Sequence, residues 1–192
     1  MIIVKIFFLI GYSYLVQSKN VYMHNLPLGE YRTVFEKVYA CQSTNLVQFN
    51  VYFNKRTSNI TEIKGNFSLS MPLDDSFIID INAASWSLTG GWKPNSMVYI
   101  SKNACNSFKK FAGNAWYSVL KAFNFAKTTC PLPPGTYITS GIDLKNLEDH
   151  NFPKVYFYGK YKVTFKLKNV KDEAVFCCIL ELSLIRPWEK PI

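Results

Sequence analysis

Tyr161, Val163, Phe165 and Leu167 alternate with Lys160, Lys162, Thr164 and Lys166. A helix does not accept that pattern, because successive side chains point to opposite faces only in an extended strand. The same period of two recurs where Phe49, Val51 and Phe53 alternate with Gln48, Asn50 and Tyr52. It recurs again where Phe67, Leu69 and Met71 alternate with Asn66, Ser68 and Ser70. One apolar and one polar face per strand is the signature of antiparallel sheets with a single buried side. Residues 55–59 are polar and predict a hairpin between two of these strands, and residues 74–81 and 174–185 read as further strands. The aromatic share of 16%, with 15 Phe and 12 Tyr, suits the same mainly β class.

One segment departs from this period. Cys105, Phe108, Phe111, Ala112, Ala115, Trp116, Val119, Leu120 and Phe123 recur at steps of three and four, which predicts one amphipathic helix. Cys130-Pro131 lies beyond its end, since proline does not continue a helix. The aromatic stripe suits ordinary core packing or a ligand-facing surface, and spacing does not separate the two.

Near the start, Lys5 precedes an apolar run from Ile6 to Val16, shorter than the ~20 residues of a membrane span. Val16-Gln17-Ser18 fits a cleavage site, so residues 1–18 are expected to be a secretory signal peptide and 19–192 a single domain. Export puts Cys41, Cys105, Cys130, Cys177 and Cys178 in an oxidising compartment, where an odd count leaves one thiol over. No Cys-x-x-Cys pair occurs, and His24 and His150 stand far from any thiol in sequence, so no metal site is expected. The formal charge of +9 does not imply nucleic acid in an exported chain. It suits a transient encounter with an anionic membrane surface, or simply a solubilising exterior.

The order Cys41, strands, Cys105 opening a helix, Cys130-Pro131, Gly135-Thr136-Tyr137, Phe152-Pro153, Gly159-Lys160-Tyr161 and Cys177 resembles an ML-like lipid-binding family. That family is represented by the lysosomal ganglioside activator and the secreted insect chemosensory proteins of the B class. The specific part of the resemblance is residues 130–184. It implies a β-cup, an antiparallel sheet curled around an apolar cavity. The activator lifts glycolipids from membranes and presents them to a hydrolase, and the insect relatives handle lipid-like chemical signals. The family pairing, carried over, implies Cys41–Cys177 and Cys105–Cys130 disulfides. Cys178 then stays free on the strand face that also carries Leu180, Leu182 and Leu184.

On this reading Phe67, Leu69, Met71, Ile79, Val163 and Phe165 are candidate cavity residues on strands, and Phe108, Trp116 and Leu120 on the helix. Trp86 and Trp92 lie in a Gly- and Pro-bearing loop, residues 84–94, and are candidates for the cavity mouth, with sheet packing as the alternative. The lysine stripe 160, 162, 166 and 168 is read as a solvated face, or else as a headgroup surface. Asn59 and Asn66 begin N-glycosylation sequons, and Asn66 lies on the polar side of its strand.

Catalytic signals are missing from the pattern. His150 sits in a polar bend, Asp74-Asp75 and Glu148-Asp149 are adjacent pairs that read as turns, and no Gly-x-Ser-x-Gly elbow or phosphate loop appears. The expectation is a secreted, extracellular rather than lysosomal carrier of an apolar lipid or lipid-like signal, not an enzyme and without a cofactor. It would be a β-cup or sandwich with one packed helix, and its further partners a receptor or hydrolase. The competing expectation is a secreted interaction protein that works through its surface with no lipid bound.

Overall fold

The computed structural model describes residues 26–42, 46–57 and 60–190. The expected signal segment, His24 and Asn59 lie outside the described residues. In chain order the strands are β1 (Leu28–Glu30), β2 (Arg32–Gln42), β3 (Val47–Lys55), β4 (Thr61–Leu69) and β5 (Ile78–Ser87). They continue with β6 (Gly91–Lys102), β7 (Gly135–Asp143), β8 (Val155–Phe157), β9 (Gly159–Lys168) and β10 (Ala174–Ile185). Between β6 and β7 lie two helices, α1 (Ala104–Ala112) and α2 (Asn114–Ala122), and a 3-10 turn, Leu144–Leu147, follows β7.

A five-stranded sheet in the order β2-β10-β9-β5-β6 faces a three-stranded sheet in the order β3-β4-β7. A short β1–β8 ribbon makes a third pairing. Every pairing is antiparallel, and β3–β4 is the hairpin expected from the polar residues 55–59.

The alternation of β9 is realised as a two-faced strand. Tyr161 and Val163 are buried, while three of the four lysines at even positions meet carboxylates of neighbouring strands and the fourth, Lys166, borders the interior. Lys160 pairs with Glu36 at 3.0 Å, Lys162 with Glu181 at 3.4 Å and Lys168 with Asp80 at 2.8 Å. Three of the four stripe lysines are thus ion-paired. In the smaller sheet, Gly65 lies at a register shift between β4 and β7 and has φ 120°. A Cβ there would stand 1.9 Å from the Asn50 carbonyl oxygen, so only glycine allows β3 and β4 to approach this closely.

The single helix expected over 105–123 is corrected to two. Gly113, with φ 59° and ψ −132°, caps α1 and opens α2. The break is satisfied from outside by the bend after the 3-10 turn. Asn151 donates from its backbone N to the Phe111 carbonyl (3.1 Å) and from its side chain to the Lys110 carbonyl (2.6 Å). The Ala115 N–H donates to the Asp149 carbonyl at 2.9 Å. Orphan groups at both helix ends thus find partners. At the other end of α1, the Asp75 carboxylate accepts from the Asn106 N–H at 2.9 Å.

The expected loop 84–94 is mostly strand, with β5 running to Ser87 and β6 starting at Gly91. The expected strand 74–81 begins only at Ile78, because residues 74–77 form a turn in which Asp74 accepts from the Ser76 N–H at 2.9 Å. Disulfides join Cys41 to Cys177 and Cys105 to Cys130, and Cys178 is free and buried. The first ties β2 to β10, and the second fastens α1 to the segment preceding β7.

Candidate functional site

The apolar interior does not close into one core. One buried cluster holds Val47, Val51 and Leu69 of the smaller sheet together with Trp116, Leu120 and Phe123. A second holds Ile79, Ile81, Ala83, Tyr161, Val163 and Leu184 of the larger sheet. Between them lies a cavity of about 440 Å3. Phe35, Phe49, Phe53, Phe165, Leu180 and Leu182 line it and are only partly buried, although they point inward. In a filled interior packed to normal density such residues would be sealed from solvent.

The two sheets touch at aromatic contacts across this space. Phe35 meets Phe53 with ring centroids 5.9 Å apart, and Phe49 meets Phe176 at 5.5 Å. The helices form another wall: Phe108 of α1 stands edge-on to Trp116 of α2 at 5.8 Å, and the Trp116 indole donates to the Thr128 carbonyl at 2.8 Å. That bond satisfies the only polar atom of the ring, so Trp116 is held as apolar wall.

Polarity gathers at one side, where Tyr31, His150, Phe152, Tyr156 and Tyr161 line the cavity and touch in series. The Tyr31 hydroxyl donates to the Pro153 carbonyl at 2.7 Å and the Tyr161 hydroxyl to the Phe157 carbonyl at 2.9 Å. Burial pushes both phenols up to about 12, so they remain neutral. The His150 Nδ1 accepts from the Phe152 N–H at 3.2 Å, and burial and then Lys154 hold its imidazole below the ordinary value. Among the described residues no group of His, Cys, Asp and Glu is arranged to hold a metal, and no helix is long and apolar enough to cross a membrane.

Of the residues singled out from sequence, Phe67, Leu69, Ile79, Phe108, Trp116, Leu120, Val163 and Phe165 all border this cavity. Met71 lies past the end of β4 and is not in the wall. Trp86 and Trp92 are not in the wall either. They share strand parity with Asp80 and Asn82 on the outer face, where their rings meet at 5.2 Å and the Lys162 ammonium sits 4.5 Å from the Trp92 centroid. Asn66 lies on β4, where its side-chain oxygen accepts from Asn50 at 3.2 Å.

The sequence reading missed β2 and the polar side of the cavity. Thr33, Phe35 and Val38 of β2 all line the wall, yet their spacing is not a period of two. A bulge leaves Glu36 without an opposite number between the pairs Lys37–Glu181 and Phe35–Leu182, and the extra residue shifts the inward parity. The bend carrying His150 reads as an ordinary turn, and only its contacts with the helix break place it at the wall.

Chemically, this arrangement suits uptake of an apolar molecule into a preformed space. A family model described as "Protein of unknown function (DUF1091)" matches residues 79–163, from β5 into β9, which is less than half of the chain. No curated protein matches the sequence. Among solved structures, chicken MD-1 complexed with lipid IVa is similar at 14% identity, over 82% of this chain and 99% of that one, with a TM-score of 0.28. At that score the likeness carries no weight for either fold or function.

Proposed function

We propose that this protein is a secreted carrier that takes an apolar lipid or lipid-like signal molecule into the space between its sheets and presents or transfers it. The observation that supports this reading is the cavity of about 440 Å3 walled almost wholly by apolar side chains. Preformed, largely apolar pockets of roughly 300–1,000 Å3 are the usual form of small-molecule sites. Each methylene moved from water into such a space contributes roughly 0.8 kcal/mol, so a hydrocarbon chain needs few polar contacts. The two disulfides and the ion-paired exterior suit an extracellular setting. Delivery to a membrane, a receptor or a hydrolase is part of the same proposal.

The test is native purification followed by mass spectrometry of extracted lipids, together with titration by a fluorescent apolar probe such as N-phenyl-1-naphthylamine. Saturable binding that extracted lipid displaces supports the carrier. A protein that is folded but binds no apolar probe and carries no lipid overturns it.

A second reading, a surface-acting interaction protein, has one observation in its favour. Val98 and Ile100 are 50% and 61% exposed on β6, the edge strand of the larger sheet. A tight protein partner bound to a chain with an empty interior would favour it.

A further inference from the structure

The polar side of the cavity includes a side-chain donor, on His150, for which no partner occurs among the described residues. His150 is held on both flanks, because Asp149 and Asn151 are each hydrogen-bonded to the helix break at Gly113. Its ring packs edge-on against Phe152 at 6.1 Å, and its Nδ1 accepts from the Phe152 N–H. A backbone N–H aimed at Nδ1 requires that nitrogen to be unprotonated, so the proton of the neutral ring resides on Nε2. No partner for Nε2 occurs among the described residues, and no buried side-chain nitrogen or oxygen among them lacks one. Nε2 therefore retains access to solvent space, on a residue that lines the cavity. The neighbouring Tyr31 and Tyr161 hydroxyls already donate to backbone carbonyls.

We infer that the ligand is a single-chain neutral amphiphile whose one oxygen acceptor, as in an ester, aldehyde, ketone or alcohol, accepts a hydrogen bond from His150 Nε2 while its hydrocarbon fills the apolar space. This rests on the carrier reading above and specifies the ligand class. Size argues for one chain: the 440 Å3 available lies toward the lower end of the roughly 300–1,000 Å3 of ordinary small-molecule pockets.

Charge argues for a neutral head. Burying a carboxylate without a paired cation is strongly unfavourable. The Lys154 ammonium is exposed and donates to the His150 carbonyl at 3.3 Å. Lys166 borders the cavity, but it lies five residues along β9 from Tyr161, about 17 Å at strand spacing, away from a head group held at His150.

The experiment displaces N-phenyl-1-naphthylamine from the full chain with length-matched pentadecane, 1-tetradecanol, tetradecanal and myristate, in wild type and in His150→Phe. Wild type should prefer the alcohol and aldehyde over the alkane by roughly two- to ten-fold, the range a single net hydrogen bond supports. In His150→Phe that preference should vanish. Imidazole 15N shifts in wild type give a readout that does not depend on the variant folding. The Nε2 resonance should move with the aldehyde and stay in place with the alkane.

Equal affinities in wild type, an unmoved Nε2 resonance, a preference that survives in His150→Phe, or tightest binding of myristate would each overturn the inference and leave the carrier reading standing. Failure of every apolar probe to bind wild type would overturn both.

Discussion

Phe49 of β3 and Phe176 of β10 meet from opposite sheets, with ring centroids 5.5 Å apart. Beyond that contact the sheets are held apart by side chains that border open space. Val163 faces that space from the middle of the larger sheet, buried in one cluster yet lining the cavity. Replacing it with tryptophan in a filled core would cost about 1–3 kcal/mol. Here the ring has somewhere to go. Val163→Trp is expected to keep a thermal midpoint near wild type and to lose most binding of a fluorescent apolar probe. A variant that fails to fold would mean that the space is too small to take a ligand.

Leu120 tests the opposite case. It lies on α2, is 3% exposed, and packs in the cluster with Trp116, Phe123 and Leu69. Leu120→Ala should cost about 2–5 kcal/mol, the range for buried leucines whose surroundings relax only in part. Adding an apolar ligand should recover some of that loss in a thermal melt, because ligand binding to the folded state stabilises it by mass action. A loss under about 1 kcal/mol without ligand would show that the helix packs more loosely than its contacts imply.

The strands that keep a strict period of two could be read directly from the chain. In β9, Tyr161, Val163, Phe165 and Leu167 are inward, as the alternation requires. The tryptophans were open to the same reading. Trp86 and Trp92 fall on the outward parity of β5 and β6, but the glycines beside them made the segment look like a loop. What remained hidden depends on tertiary partners. The β2 bulge at Glu36 erases its period, and the break at Gly113 is supported by Asp149 and Asn151, residues distant in sequence. No local pattern announces that a polar bend will cap two helices and carry a histidine to a cavity wall.

Because the tryptophan pair lies outside the cavity wall, Trp92→Ala should leave probe affinity in solution within about two-fold of wild type, a change under 0.5 kcal/mol. The edge-to-face pair and the Lys162 contact each contribute on the order of 1 kcal/mol, so a modest fall in thermal midpoint is expected. If the hairpin tip meets membranes during delivery, transfer of probe from vesicles will slow while equilibrium affinity stays. Leu88, 97% exposed at that tip, gives a companion variant, Leu88→Asp, with the same expected split. A large fall in equilibrium affinity for Trp92→Ala would instead place the ring at the ligand.

His150 gives the fold a pH dependence of definite sign. Its folded-state value lies below the ordinary 6.5, first because of burial and then because of Lys154. Between that lowered value and 6.5 the unfolded chain binds more protons than the folded one. The contribution is therefore fully present above pH 6.5 and is lost as pH falls below it, levelling once the folded value is passed. Urea midpoints measured from pH 8 to pH 5 should decline in that window for wild type and decline less for His150→Phe. Identical slopes in the two proteins would show that the imidazole stays solvated in the folded chain.

Cys177 and Cys178 are adjacent, yet one is bonded to Cys41 and the other lines the cavity beside Leu180 and Leu182. Burial pushes the Cys178 thiol up to about 12, and the thiolate is the reactive form. In the native protein at pH 8, Cys178 should resist alkylation by N-ethylmaleimide over the time in which a free surface cysteine reacts fully. In urea it should react at once, with the two disulfides intact. Non-reducing peptide mapping after the urea step identifies the labelled residue. Label on Cys177, or a peptide joining Cys41 to Cys178, would reverse the assignment of the two neighbours. An apolar ligand should slow alkylation of Cys178 further, because the thiol faces the volume the ligand fills. A label rate that ligand does not change, with probe binding already established, would place the bound molecule away from β10.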